Sequence, residues 1–177
     1  MAALIERVRL MVGDPVIAGT PTTSVFTDQQ IQDALDHHRT DVFQDRLVPR
    51  PTPTPTTVDY KDYQARAGFW EDDVTIVDAT WTAVTPAGED LNTGHWTFTV
   101  SENPPLFITG KAYDIYGAAV EILEAWQGSA TALGIDSFAE DGQSFQFGQR
   151  TNKIAAMANE YRRKALPAGP RFAGRHW

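Results

Sequence analysis

The chain has 177 residues, 15 Lys and Arg against 23 Asp and Glu, a formal net charge of −8, and no cysteine. The length suits one domain with at most a small insertion, and the missing cysteine excludes disulfides, a thiolate nucleophile and thiolate metal sites. An acidic total argues against a nucleic-acid surface, but the charge is uneven: no acid follows Glu160, whereas Arg162, Arg163, Lys164, Arg171 and Arg175 do, so a basic arm ends an acidic body.

The first predicted element is a helix over 3–12, with Leu4, Ile5, Val8, Met11 and Val12 on one side and a stop at Gly13, Asp14 and Pro15. Glu6, Arg7 and Arg9 interrupt its apolar run, which argues against a signal peptide or a membrane span and implies a soluble protein made in a cytoplasm. A loop, VIAGTPTTSV, leads to FTDQQIQDALDHHRTDV. Here Thr27 and Gln30 form a capping box, Phe26 is placed to staple onto Ile31, and Ile31, Leu35, His38 and Val42 form a helical stripe, so a second helix is expected over 28–45. PRPTPTPTT then sets proline at 49, 51, 53 and 55, which predicts an extended polyproline spacer over 49–69.

From Asp73 the pattern becomes strand-like: DVTIVDATWTAVT, turn chemistry in PAGEDLNTG, then HWTFTV with Trp96, Phe98 and Val100 alternating with threonines, and LFITG as a short third strand. An inserted β element over 70–109 follows. Such a hairpin is marginal alone and needs the helices or a neighbouring subunit to pack on, which makes Trp81, Trp96 and Phe98 candidate inter-subunit residues. Helical period resumes after Gly110, with Ile115, Ala119, Ile122, Leu123 and Trp126 on one broad face and Gly117, Ala118 and Ala119 permitting close helix approach. IDSFAEDGQSFQFGQ reads as a turn-rich connection in which Ser144 caps a last helix over 145–165, carrying Phe147, Ile154, Met157 and Tyr161 inward. The tail 167–177 is irregular, and its Arg171, Phe172, Arg175 and Trp177 are suited to anchor on a partner. The expected fold is therefore mainly α: a small four-helix-type bundle from 1–48 and 110–166, with the proline spacer, the β element and the extended tail attached.

Little in the sequence points to catalysis. No glycine-rich phosphate loop, GxSxG or HExxH occurs, DGQS lacks the remaining ligands of a calcium loop, and the acid runs at Glu71–Asp73 and Glu140–Asp141 read as solvated, so no enzyme, cofactor or metal residue is assigned. Adjacent helical histidines lie about 100° apart and cannot share a metal, and Asp33, His37 and Asp41 lack a further strong ligand. His37 thus reads as solvated and His38 as a boundary residue. A DNA-reading second helix is disfavoured by Asp28, Asp33, Asp36, Asp41 and Asp45.

The order LIERVRLMVGDP, FTDQQIQDALDHH, GKAYDIYGAAVEILEAWQ and DGQSFQFGQRTNKIAAMANEYRRKA resembles the head-tail connector, or adaptor, proteins of long-tailed bacteriophages. The resemblance covers nearly all of the helical part and leaves 49–109 unassigned. It implies a structural virion protein of the neck, without cofactor, forming a twelve-subunit homo-oligomeric ring beneath the portal protein and joining the capsid to a stopper or tail-completion protein. DNA would pass through the ring without sequence-specific binding, the acidic body suiting a sliding wall; Arg171, Phe172, Arg175 and Trp177 would engage the portal. The alternatives are another neck or tail-completion protein and, more remotely, a carbohydrate-binding module using Trp70, Trp81 and Trp96.

Overall fold

Leu4, Val8 and Val12 recur every four residues and are buried along one side of α1 (Ala2–Val12), as the apolar period requires. Gly13 ends it in the left-handed conformation at φ 76°, where glycine carries no Cβ penalty. The capping box at Thr27 is present, with Gln30 N donating to Thr27 Oγ1 at 3.2 Å and Thr27 N to Gln30 Oε1 at 2.9 Å, and it starts α2 (Asp28–His37). Ile31 and Leu35 of α2 are fully enclosed, each worth about 1.5–3 kcal/mol relative to exposure. The computed structural model describes residues 1–14, 25–55, 57–132, 137–140 and 143–165.

The chain divides into two compact units. The helical unit comprises 1–38 and 114–168. In it α3 (Ile115–Ala132) packs against α1, α2 and α4 (Phe147–Lys164), burying Ile115, Ala118, Ala119, Ile122 and Leu123. Asp114 caps α3, its Oδ1 accepting from Tyr116 N at 3.2 Å and Gly117 N at 3.1 Å. Tyr161 of α4 donates to Met11 O at 3.0 Å, and Phe26 meets Trp126 edge-on.

The second unit, from Arg39 to Tyr113, is all β. Its strands are β1 (Arg39–Arg46), β2 (Val48–Pro53), β3 (Val58–Gln64), β4 (Thr75–Val77), β5 (Gly88–Asp90), β6 (His95–Thr97) and β7 (Phe107–Tyr113). They form two antiparallel sheets, β1-β7-β4 and β2-β3-β6-β5. Val42, Ile76 and Ile108 from the first sheet and Tyr63 and Trp96 from the second share one buried cluster, so the sheets close over a common core. Tyr63 sits inside it with its hydroxyl donating to Glu102 O at 2.5 Å; burial pushes that phenol up to about 12.

These features correct the mainly-α, four-helix-type bundle. Four helices are present among the described residues, but the chain also forms an all-β unit with its own core. The second helix does not run to 45: it ends at His38, and Arg39–Arg46 pairs with β7 from Arg39↔Tyr113 to Arg46↔Phe107. Val42 satisfies a helical stripe and a strand alternation equally, and tertiary pairing decides. The proline stretch is no spacer. Pro49, Pro51 and Pro53 lie in β2, an edge strand, where a missing N–H costs no ladder bond, and 58–64 is the central strand β3. The turn-rich connection holds a further ladder, β8 (Ser137–Glu140) against β9 (Gln143–Gln146), so Ser144 is a strand residue and not a cap. Among the described residues no helix is long and apolar enough to cross a membrane.

Candidate functional site

Asp78 closes β4 and organises the turn that follows. Its Oδ1 accepts from Thr80 Oγ1 at 2.7 Å, Thr80 N at 2.8 Å and Thr82 N at 2.9 Å, while Asp78 N donates to Thr82 O at 2.9 Å. The Thr80 hydroxyl bond first, then the amides of Thr82 and Thr80, hold this carboxyl below its ordinary range. So constrained, Trp81 adopts φ 64°, a conformation that bulky side chains rarely take and that surrounding bonds must enforce. Its indole stacks on Phe107 at 5.4 Å and 21° yet remains 58% exposed, a rigid aromatic step facing solvent.

The chain then runs along the edge of β4, with Val84 N donating to Ile76 O at 2.9 Å, and crosses to β5 at the edge of the other sheet. Beneath this crossing is a cleft of about 480 Å³ lined by Val74, Ile76, Thr75, Thr85, Asp72 and Glu89, among others. From Glu71 to Asp90 the sequence has Glu71, Asp72, Asp73, Asp78, Glu89 and Asp90 and no Lys or Arg. Lys111 answers part of this charge, its Nζ lying 2.8 Å from Asp73 and 3.4 Å from Glu71, bonds that raise its own pKa. Asp72 and Glu89 remain exposed. Asp72 and Glu89 thus give the cleft a negative rim, which opposes phosphate.

A second constellation lies in the helical unit. His37 Nδ1 is 2.9 Å from Glu121 Oε1 and His38 Nε2 is 3.2 Å from Glu121 Oε2, so two imidazoles bracket one carboxylate. Separation by 100° does not keep these histidines apart, because His38 has left the helix at φ −106°. Its ring lies against Gly117, where a Cβ would come within 2.5 Å of Nδ1. His37 is 68% exposed, in keeping with its reading as solvated, and is in addition paired with Glu121. Among the described residues no group of three His, Asp or Glu is arranged to hold a metal.

The hydrogen bond to Glu121, then its charge, raise the His37 pKa above 6.5, and Asp33 and Asp36 add to this. A raised histidine contributes stability that is complete below pH 6.5 and lost as pH rises through the folded-state value. The melting temperature of the helical unit is accordingly expected to fall across that interval, and Glu121→Gln should flatten the dependence. A proton-detected titration placing His37 at or below 6.5 in the wild type would contradict this.

Of the residues singled out as inter-subunit contacts, Trp81 is at the surface, but Trp96 and Phe98 are enclosed in the β unit, with Trp96 edge-on to Trp70 at 5.6 Å and Phe98 edge-on to Tyr63 at 5.6 Å. A neighbouring subunit cannot reach them. The same burial dissolves the tryptophan set of the carbohydrate reading, since Trp70 and Trp96 have no free face. Arg171, Phe172, Arg175 and Trp177 lie outside the described residues, as does most of the loop after Asp14. Glu121, the partner of both histidines, carries no signal in the sequence beyond helix phase, which places it one turn after Gly117.

No family model matches the chain, and neither a curated protein nor a solved structure matches it. The functional reading therefore rests on the residues themselves.

Proposed function

We propose that the chain is a structural head-tail adaptor of a tailed bacteriophage, a ring subunit beneath the portal that joins the capsid to the tail and surrounds the passing DNA. The observation that carries this is convergence. The motifs at 4–15, 26–38, 110–127 and 141–165 are interrupted by β1 to β6 and the start of β7, yet their helices belong to one compact unit. A chain assembled around that unit keeps the connected helices of the adaptor family and carries the β unit as an insertion. The acidic body is consistent with a wall that does not retain DNA.

The test is electron microscopy of the purified protein, alone and with the portal protein from the same genome. Closed rings stacked on the portal are the expected result. A chain that stays monomeric and unattached in the presence of portal-bearing capsids would overturn the proposal.

A further inference from the structure

We propose that the basic segment 166–177 docks on the β unit of its own chain, with Phe172 entering the apolar cleft beneath the crossing from β4 to β5 and Arg171 and Arg175 meeting Asp72 and Glu89 at its rim. The contact goes beyond the adaptor reading and does not rest on it.

The cleft sets the chemistry of its occupant. Its volume of about 480 Å³ has Val74, Ile76, Val84 and Pro86 along the walls and Asp72 and Glu89 at the rim. Apolar walls with an acidic rim take an apolar side chain flanked by cations. The neighbouring cation, Lys111, is committed to Asp73 and Glu71 at 2.8 and 3.4 Å, and Asp72 and Glu89 stay exposed.

One stretch outside the described residues has that chemistry. Residues 15–24 and Thr56 carry no charge, and 133–136 and 141–142 carry only Asp136 and Asp141, whereas 166–177 carry Arg171, Phe172, Arg175 and Trp177 and no acid. Arg171 directly precedes Phe172 and Arg175 follows three residues later, so two guanidiniums bracket one aromatic ring. The tether permits the contact. Lys164, at the end of α4, lies over the Tyr116 ring at 6.0 Å, and Tyr116 comes three residues after Tyr113, where β7 ends. Twelve extended residues reach about 40 Å, against about 27 Å for the eight residues of β1, the longest strand of the β unit. A segment tethered in this way meets its site at an effective concentration on the order of millimolar, so modest contacts suffice. Three of the four residues that the resemblance assigns to the portal are then engaged in the free chain.

Trypsin cuts after Arg171 and Arg175, so digestion of the full chain, followed by mass spectrometry, reads how far they are covered. Cleavage there is expected to quicken with salt and to be about tenfold faster in Glu89→Lys, whereas Glu6→Lys, the same charge change on an exposed residue of α1, leaves it as in the wild type. Equal cleavage in Glu89→Lys and the wild type would overturn the contact. So would protection that appears only as protein concentration rises, since the occupant would then be a second copy. In methyl NMR spectra of the full chain, Phe172→Ala should shift the resonances of Val74, Ile76 and Val84 by removing the ring beside them, and leave Leu4 and Val8 of α1 unmoved. Unshifted cleft methyls would overturn the contact. Neither measurement involves the portal, so the adaptor reading stands or falls on its own test.

Discussion

Replacing Arg9 with Ala is expected to destabilise the helical unit by about 3–5 kcal/mol, a large share of the 5–15 kcal/mol that holds a typical domain. Arg9 sits within the apolar run of α1 and is 5% exposed. Its guanidinium donates to Asp14 Oδ2 at 3.0 Å, to Asp28 Oδ1 at 2.7 Å and to Phe26 O at 2.8 Å. Asp14 is itself buried and accepts from Val25 N at 2.9 Å and Phe26 N at 3.1 Å. The cluster therefore ties the end of α1 to the start of α2, and truncating Arg9 leaves a carboxylate enclosed without its cation. Chemical denaturation followed by circular dichroism measures the loss. Arg9→Met combined with Asp14→Asn should recover part of it, because the uncompensated charge is then removed. A change below 1 kcal/mol in Arg9→Ala would show that the cluster is not what joins the two helices.

Trp96→Ala is expected to cost about 3–5 kcal/mol in the β unit, since it empties a fully enclosed site against Trp70. Trp96→Phe should cost far less, roughly 1 kcal/mol. Phenylalanine keeps most of the packing, and the Trp96 Nε1–H that it removes has no acceptor among the described residues, so no hydrogen bond to them is given up. Denaturation of the two variants side by side distinguishes these outcomes. If Phe proves as damaging as Ala, the indole N–H is satisfied and the core at that position is polar.

The helical half of this architecture was legible because its signals are local. The Thr27 and Gln30 box, the period of α1 and the small residues of α3 each act within a turn or two, and the structure keeps them. The β unit was legible only where strand alternation met turn residues, as at Trp96 and Phe98. Before that, β1 and β2 depend on partners far along the chain: Arg39 is paired by Tyr113, and Pro49 by Tyr63. Neither propensity nor spacing contains those pairings. The prolines were informative in a way that was misread, since they exclude a central strand but not an edge. Asp114, directly before an apolar run, was a readable N-cap that would have ended the preceding strand correctly. For the candidate site, Trp81 stood out as an aromatic, but in the strand-like run DVTIVDATWTAVT, whereas the strand ends at Val77 and Trp81 lies in the turn that follows. What could not be seen was its left-handed backbone and its stack on Phe107, both of which follow from the path of the Asp78 turn.

The backbone bond from Asp114 N to His38 O, at 3.0 Å, bears on how such a chain came to be assembled. The chain leaves the helical unit at His38 and returns at Asp114, two positions already joined, so everything between them is topologically a loop closed at its base. Were that loop unstructured, its closure would cost the helical unit roughly 3 kcal/mol more than a two-residue turn. Because Arg39 and Tyr113 are held together as ladder partners by the β unit's own fold, that entropic penalty is offset there and the helices do not bear it. Genes could therefore exchange, enlarge or lose this segment while leaving the helical unit's folding free energy nearly unchanged.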